Sequence, residues 1–370
     1  MNILDDVLQM QDITLEQKPF NDVDSLVFSA LAYFPFENIL TKEKTKFCEI
    51  DENSIVLTDK LSELYKNHYN LLKAVVKSKR YADFEISDYT NIFCQENTKQ
   101  FAAVCFANKN FVYVAFRGTD STITGWKEDA NMSFLKSVPA QEEARLYLKK
   151  VAKNHKKKRI LVGGHSKGGN LAIYASAKAS WLLKRKIMTI FCHDGPGFCQ
   201  EFFEEKGYIK ISPRIKKTVP PSSIIGMLLD NPTPYQVVDS EGKSIFQHNP
   251  YFWIVQDHEF APVKEVKPGW RMFNDGINKW VKGITTQKRK EFIDLLFDFF
   301  ETAEITEFKS KKEVLFLAFK NRKALIEKYK NLDEETKEFF AITIKEIFAF
   351  VWDSRKVDKN NKETKKDPLD

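Results

Sequence analysis

The spacing of apolar residues changes twice along the chain and predicts three regions. Up to about residue 80 it follows the period of a helix, and the segment capped by Asn21 or Asp22 has an apolar face formed by Val23, Leu26, Val27, Ala30 and Leu31. From Lys99 it alternates in short runs, which predicts a hairpin with a turn at residues 108–110. After about Ile284 helical spacing returns.

The middle of the chain predicts a βαβ unit, whose helical crossover implies parallel strands. The predicted order is a helix over about Ala140 to Asn154, a strand from Arg159 to Val162, a helix from about Gly169 to Leu183 and a strand from Ile187 to Cys192. Loops then follow, with a strand near Tyr235 to Val238 and another ending near His248.

These patterns divide the chain into three parts. Residues 1–283 are expected to form one α/β domain that includes the N-terminal helical cover. Residues 284–353 contain three helical segments with Phe/Leu/Ile faces, which predict a small bundle. Residues 354–370 have almost no apolar side chains, so we expect a disordered tail.

Composition indicates an ordinary globular protein. The chain has 370 residues, and its 43% hydrophobic content excludes a largely disordered protein. No apolar run is long enough for a transmembrane helix, and acidic residues stand where a secretion signal needs basic ones, so we expect a cytoplasmic location. The five cysteines lack C-x-x-C spacing and predict buried reduced thiols rather than a metal site.

The formal net charge of +7 is small for this length. One dense basic block, "KKVAKNHKKKR" from Lys149 to Arg159, has the composition to attract nucleic acid or anionic lipid, but cations there also complement the dipole of the preceding helix. The block precedes a strand, whereas α/β active sites form where strands end. We expect no nucleic-acid partner and leave peripheral lipid contact and the oligomeric state open.

One glycine-flanked serine carries the candidate chemistry. The segment "GHSKG", with Ser166 at its centre, matches G-x-S-x-G between a predicted strand and a predicted helix, which is the context of a nucleophile elbow. A glycine-rich turn without chemistry is the alternative. A phosphate-binding loop needs lysine and then serine or threonine after its last glycine, but Gly169 and Asn170 follow Gly168 here.

The elbow "GHSKGG" and the upstream segment "VAFRGTDSTITGWKED" resemble the α/β-hydrolase superfamily and, within it, the fungal-type (class three) lipases. The chain is more similar still to a bacterial lipase-like family of unknown function. That resemblance runs from Pro19 to Trp253 through "PFNDVDSLVFSALAY", "AFRGTD", "GGHSKGGNLA", "DGPGF", "VPPSSIIGMLL" and "QHNPYFW". It implies an α/β-hydrolase fold, with a mostly parallel central sheet flanked by helices, and a serine hydrolase that needs no metal or cofactor.

A serine nucleophile needs a base, and in this fold the chain order is serine, acid, histidine. The six histidines divide into three that come too early and three that remain: His68, His155 and His165, then His193, His248 and His258. His193 abuts Asp194, so their side chains should diverge, and His258 lies among charges that suggest a surface position. His248 is followed by Trp253 in a spacing similar to that of the lipases. We predict His248 as the base, with a core or capping histidine as the alternative.

Asp194 is the predicted acid, because it ends the strand after the nucleophile strand and precedes the turn "GPGF". Fungal-type lipases carry their acid one strand later, where this chain has "TVPPSSIIG" with serines instead, whereas pancreatic-type lipases carry it after the earlier strand. Asp230 and Asp239 remain alternatives, and Asp194 as a simple turn former is another.

The backbone N–H groups of Thr119 and Lys167 are the predicted oxyanion hole, with the Thr119 hydroxyl as a third donor. Lipases usually have leucine at the position of Lys167, whose side chain we expect to lie over the helix start. Three nearby residues are expected to brace the loop: Arg117, Trp126 and Asp129. The segment Asp120–Val138 fits either a mobile lid or a static connection.

Two functions follow from these residues. The first is a serine acyl hydrolase, an esterase or lipase that acts on a small-molecule or lipid ester through an acyl-enzyme on Ser166. The second is a catalytically silent binding or scaffolding protein with the same fold. The complete order of serine, acid and histidine favours the hydrolase.

Overall fold

A nine-stranded sheet forms the centre of the molecule in the computed structural model, which describes residues 1–40, 42–56, 63–229, 231–307 and 311–363. The strands of this sheet are β1 (Lys44–Lys46), β2 (Glu85–Cys94), β3 (Lys99–Ala107), β4 (Phe111–Phe116), β5 (Arg159–His165), β6 (Ile187–His193), β7 (Ile215–Val219), β8 (Tyr235–Val238) and β11 (Pro262–Val263). A separate hairpin joins β9 (Val255–Gln256) to β10 (Glu259–Phe260).

The sheet order is β1-β2-β3-β4-β5-β6-β7-β8-β11. The five strands from β4 to β8 are parallel, and the pairs at both edges are antiparallel. The parallel strands all end at one edge, where this class of sheet places its sites. Together with the flanking helices, this is the α/β-hydrolase fold that the resemblance implies.

Helices surround the sheet and continue beyond it. They are α1 (Ile3–Gln9), α2 (Asp22–Leu31), α3 (Glu63–Lys77), α4 (Ile123–Asn131), α5 (Pro139–Asn154), α6 (Lys167–Ala177), α7 (Trp181–Lys184), α8 (Gln200–Glu204), α9 (Lys206–Ile211), α10 (Pro268–Gly283), α11 (Thr286–Thr302), α12 (Lys311–Lys320), α13 (Arg322–Lys330) and α14 (Glu334–Glu363). Among the described residues, no helix combines the length and apolarity needed to cross a bilayer.

The alternation of side chains along each strand produces two buried layers. On β3, Phe106 packs with α1, α2 and α3 in one cluster, whereas Cys105 packs with α5 and α6 in the other. Both faces of the central strands are therefore covered, which explains why these strands are apolar at nearly every position. Asn21 caps α2 by accepting hydrogen bonds from the N–H groups of Val23 and Asp24.

The predicted hairpin, the helix before β5 and the strands β5, β6 and β8 are confirmed. The single helix expected over 169–183 is wrong, because Ser180 caps a new helix, α7, by accepting a hydrogen bond from the Leu183 N–H. The strand expected to end near His248 is also wrong. That segment is the 3-10 helix Ser244–His248. The strand that pairs with β8 at the edge of the sheet is β11. Strand β7 lies where loops were expected, and strands β1, β2, β9, β10 and β11 and helix α10 were not expected either.

The C-terminal part is helical, as its spacing predicts. The disordered tail expected from residue 354 is wrong over 354–363, which continue α14 to Glu363. Lysine, arginine and glutamate in this stretch are good helix formers, and a helix that is already nucleated extends at little cost. The rest of the predicted tail, residues 364–370, lies outside the described residues.

A buried ionic cluster joins α1 and α2 to the segment after α3 and to the β9–β10 hairpin. The Arg80 guanidinium donates to both carboxylate oxygens of Asp24, at 2.7 and 2.6 Å, and to the Lys18 carbonyl at 2.9 Å. The His258 ring binds Asp6 at 2.7 Å and Asp24 at 3.3 Å. His258 is 1% exposed, so its predicted surface position is wrong. Its charged sequence neighbours point away while the ring turns inward to the two carboxylates.

The cluster makes folding sensitive to acid. Burial raises the pKa of Asp24, but hydrogen bonds from Arg80 and His258 outweigh burial and lower it from 3.8 to about 2. Because the folded-state pKa lies below the ordinary value, the ionised carboxylate stabilises the fold above about pH 4. That contribution is lost as the pH falls through about 2.

We expect Arg80→Met to lower the free energy of unfolding by about 3–5 kcal/mol, because it leaves the Asp24 carboxylate buried without its main partner. Urea unfolding followed by circular dichroism measures the loss. Lys79→Met is the matched control, since Lys79 forms an exposed ion pair with Asp12 and should cost less than about 1 kcal/mol. Equal losses in the two variants would contradict the role of the buried cluster.

Candidate active site

Ser166 occupies a strained turn between β5 and α6. Its φ of 59° and ψ of −134° lie in a region that non-glycine residues rarely adopt. A Cβ on Gly164 would collide with the backbone of Gly168, and one on Gly168 would collide with the carbonyl of Phe116. The turn is therefore that of a nucleophile elbow, in which close-packed backbone requires glycine around the serine.

Parallel pairing brings Asp194 next to this elbow. His165 and His193 are register partners on β5 and β6, so Ser166 and Asp194 each follow the last paired residue of neighbouring strands. Asp194 is fully buried, with a φ of 50°, and its N–H donates to the Thr218 carbonyl at 2.8 Å. Its Oδ2 lies 2.6 Å from Nδ1 of His248. The structure thus brings the predicted acid and the predicted base together.

The second carboxylate oxygen of Asp194 is held by a residue that sequence reasoning missed. Ser223 donates its hydroxyl to Asp194 Oδ1 at 2.5 Å, and the Ser223 carbonyl accepts from Asn274 on α10 at 2.7 Å. Ser223 belongs to "TVPPSSIIG", the segment where fungal-type lipases carry their acid. A polar residue at that position was visible in the sequence, and in the structure it contacts Asp194.

The loop that carries His248 is fixed from two sides. The ring of His165 donates from Nε2 to the His248 carbonyl at 2.7 Å, and the two rings lie 4.5 Å apart between centroids. Burial, with a further contribution from the charge of His248, lowers the pKa of His165 well below 6.5. On the other side, the indole of Trp253 donates to the Gln247 carbonyl at 2.8 Å. His248 therefore sits directly beside the residue that precedes Ser166.

The alternative candidates for the base and the acid are not part of the contact between Asp194 and His248. His193 is buried between Ser25 Oγ at 2.9 Å and Thr218 Oγ1 at 2.8 Å. Asp239 accepts the N–H of Ser240 at 2.8 Å. Asp230 lies outside the described residues.

The loop after β4 approaches Ser166 closely. A Cβ on Gly118 would lie 2.6 Å from the His165 carbonyl and 3.0 Å from Ser166 Cβ, so only glycine fits there. Thr119 follows, and its hydroxyl donates to Asp129 Oδ2. In this arrangement the hydroxyl faces Asp129, and its role as a third oxyanion donor stays a prediction. Burial raises the pKa of Asp129 to about 6, and the charge of Lys167 limits the rise.

Lys167 carries its charge into the core instead of over the helix start. It is 1% exposed, and its ammonium donates to the Gln100 carbonyl at 3.0 Å, to Gln100 Oε1 at 2.9 Å and to Glu128 Oε2 at 3.0 Å. Glu128 is also fully buried and accepts from the N–H groups of Gln100 and Ala140. The three ammonium protons each have an acceptor, which makes burial of this pair tolerable.

This ion pair favours the static interpretation of the segment Asp120–Val138. Glu128 lies on α4, so opening α4 as a lid would separate two buried charges. The other side of α4 packs on α11. Ile123 and Ala130 of α4, and Phe134 just after it, contact a buried cluster of Phe292, Ile293 and Phe297. Trp126 remains 37% exposed. Helix α4 is therefore held on both sides, by the buried ion pair and by α11.

The described residues contain a cavity of about 880 Å³ between α4, the β2–β3 turn and α11. Neither Ser166, Asp194 nor His248 lines it, so it is separate from the candidate site. Within the same residues, no group of three or more histidine, cysteine, aspartate or glutamate side chains has the geometry to hold a metal ion.

The Mbeg1-like family model matches residues 75–298. Three similar solved structures are a triacylglycerol lipase with a serine protease triad as its catalytic centre, a lipase from Rhizopus microsporus var. chinensis and lipase II from Rhizopus niveus. Their identities are 15%, 16% and 15%, and their TM-scores are 0.37, 0.35 and 0.34. The matches cover 60%, 63% and 64% of this chain and 79%, 76% and 87% of theirs. No curated protein matches the chain.

We expect Glu128→Gln to lower the free energy of unfolding by about 3–5 kcal/mol. The amide cannot balance the Lys167 charge, and its NH₂ would face an N–H donor where an oxygen now accepts. Urea unfolding tests this. Glu63→Gln, in an exposed pair with Lys66, should change stability by less than about 1 kcal/mol. A Glu128→Gln variant as stable as this control would show that the buried pair does not anchor α4.

Proposed function

We propose that this chain, which belongs to the Mbeg1-like family, is a serine hydrolase of carboxylic esters with Ser166 as nucleophile, His248 as base and Asp194 as the residue that orients the base. The observation that carries the proposal is the 2.6 Å contact between Asp194 and His248 beside the strained turn at Ser166. A glycine-rich turn without chemistry gives no reason for a buried carboxylate to hold a histidine there.

The contact at Nδ1 defines what His248 can do. With the Nδ1 proton donated to Asp194, the lone pair on Nε2 is available to accept the Ser166 hydroxyl proton. Ser166 Oγ then forms a bond to the ester carbonyl carbon, and the carbonyl electrons move to its oxygen. Asp194 stabilises the imidazolium, and Ser223 keeps the carboxylate from rotating by holding its other oxygen.

Collapse of this intermediate expels the alcohol, which takes the proton from His248 and leaves an acyl group on Ser166. Water, deprotonated by His248, then releases the acid and restores the serine. The N–H groups of Thr119 and Lys167 are the proposed donors to the transient oxyanion. Asp129 and Glu128 hold the side chains of these two residues and so keep both backbone segments in place.

We expect Ser166→Ala to lose covalent labelling by a fluorophosphonate probe and to lower ester hydrolysis by about 10³-fold or more, since the atom that forms the acyl-enzyme is gone. Labelling is read on a gel, and hydrolysis is measured on p-nitrophenyl esters of graded acyl length. Ser180→Ala, which alters an exposed helix cap, should label like the unmodified protein. Labelling that persists in Ser166→Ala would remove Ser166 as the nucleophile, and an unmodified protein that never labels would favour the silent binding protein.

Asp194→Asn should lower kcat by about 10²- to 10⁴-fold with little change in KM, because an amide favours the wrong His248 tautomer without touching the substrate. Asp239→Asn is the matched control and should change kcat little, because the Asp239 carboxylate accepts a local hydrogen bond from the Ser240 N–H. The opposite ranking, from steady-state kinetics on one ester, would assign the acid to the later loop.

A further inference from the structure

Helix α12 presents apolar side chains to solvent. Leu315, Phe316 and Phe319 are 59%, 65% and 66% exposed and lie on its outward face, together with Lys312 and Lys320. Large apolar side chains grouped on one exposed helix face are uncommon in a soluble domain and indicate a binding surface. We call the outward face of α12, together with the cations of α13, the α12 surface.

The charge around these side chains is strongly positive. Residues 311–330 include seven basic and two acidic residues. Two of the cations bind acids on the preceding segment, Lys320 to Glu304 at 2.8 Å and Lys328 to Asp298 at 2.6 Å. Basic residues remain in excess after these pairs. The Arg322 guanidinium lies 4.3 Å from the centre of the Phe319 ring, so a cation lies next to an exposed aromatic side chain on this surface.

The α12 surface is connected to the rest of the protein near the start of α4. The segment before it is bound to the loop that follows Thr119: the N–H of Ile123 donates to the Thr306 carbonyl at 2.9 Å, and Ser121 Oγ donates to Glu307 at 3.2 Å. Helix α12 begins at Lys311, four residues after Glu307. Because each residue extends the chain by at most about 3.6 Å, α12 starts within roughly 14 Å of Glu307.

We propose that the α12 surface docks the protein on an anionic lipid bilayer. Exposed leucine and phenylalanine among lysine and arginine are the composition of a helix that lies in a membrane interface, where the apolar side chains enter the acyl boundary and the cations meet the headgroups. A second copy of this chain would bring the same excess of cations against it, which opposes self-association through this face. A bilayer bound there would also supply lipid esters as substrate, an inference that rests on the proposed hydrolase function.

Vesicle co-sedimentation with the full chain tests the proposal without using hydrolysis. The protein should bind vesicles of phosphatidylcholine mixed with phosphatidylglycerol at least about tenfold more tightly than vesicles of phosphatidylcholine alone, and salt should weaken the binding. Leu315→Ser/Phe316→Ser/Phe319→Ser should reduce binding at least about tenfold. Lys312→Gln/Lys323→Gln should reduce binding to the anionic vesicles by roughly fivefold per cation and leave neutral vesicles unaffected.

Trp181→Ser/Leu182→Ser is the matched control. These side chains are 63% and 67% exposed, and Arg185 lies 4.9 Å from the Trp181 ring, but α7 precedes β6 and so lies at the opposite edge of the sheet. This variant should bind like the unmodified protein, and urea midpoints should agree among all variants because the altered residues are exposed. Three outcomes would overturn the proposal. The protein could show no preference for anionic vesicles, or the control variant could lose as much binding as the α12 variant. The protein could also form a dimer that disappears in the α12 variant while no vesicle binding is seen.

The same assay separates this proposal from the proposed function. Ser166→Ala should bind vesicles normally, since Ser166 lies in the elbow and not on the α12 surface. Vesicle binding by a chain that hydrolyses no ester would support the docking surface and contradict the hydrolase. Ester hydrolysis by a chain that ignores anionic vesicles would support the hydrolase and contradict the docking surface.

Discussion

The left-handed backbone at Ser166 is the constraint on which the rest of the site depends. A non-glycine residue at a φ of 59° is unfavourable on its own, so surrounding contacts must hold it there. Those contacts begin with the Ser166 N–H, which donates to the His193 carbonyl at 2.9 Å, and continue with glycines that let α6 start against β4. The same hydrogen bond joins the ends of β5 and β6, which is why Asp194 also lies at this edge.

Buried charge stabilises the wall around that turn and limits its movement. The pair of Lys167 with Glu128 places buried charge at the residue that follows Ser166, where an apolar side chain would give the same packing with no desolvation cost. What the ion pair adds is directionality, because each hydrogen bond fixes an orientation that apolar contacts leave free. One lysine thus links the start of α6 with α4 and with Gln100 on β3. The contacts that hold α4 and α6 together beside Ser166 are therefore largely polar.

The sequence predicts the parts of this molecule that local pattern determines. Apolar periodicity predicts the central strands, and the short motif around Ser166 predicts the elbow, because a turn of this shape leaves few residue choices. Apart from the predicted pair of Asp194 and His248, the side-chain contacts between distant segments were not predicted. Lys167 looks like a solvent-exposed helix residue until Glu128 and Gln100 are placed next to it, and His258 looks like a surface residue until Asp6 and Asp24 surround it. In both cases a remote carboxylate changes a charged residue from exposed to buried.

The candidate triad and the proposed docking surface occupy different parts of the chain, which the fold connects. The strand ends of a parallel sheet can place a serine, an acid and a histidine together, but a site sunk at a sheet edge has little surface of its own with which to hold an extended partner. The C-terminal helices supply such a surface. Their attachment is local, through the backbone contact of Ile123 with Thr306 beside the oxyanion loop, while α11 supports α4 from outside. A surface fastened at that point can present a substrate to the site without α4 having to open.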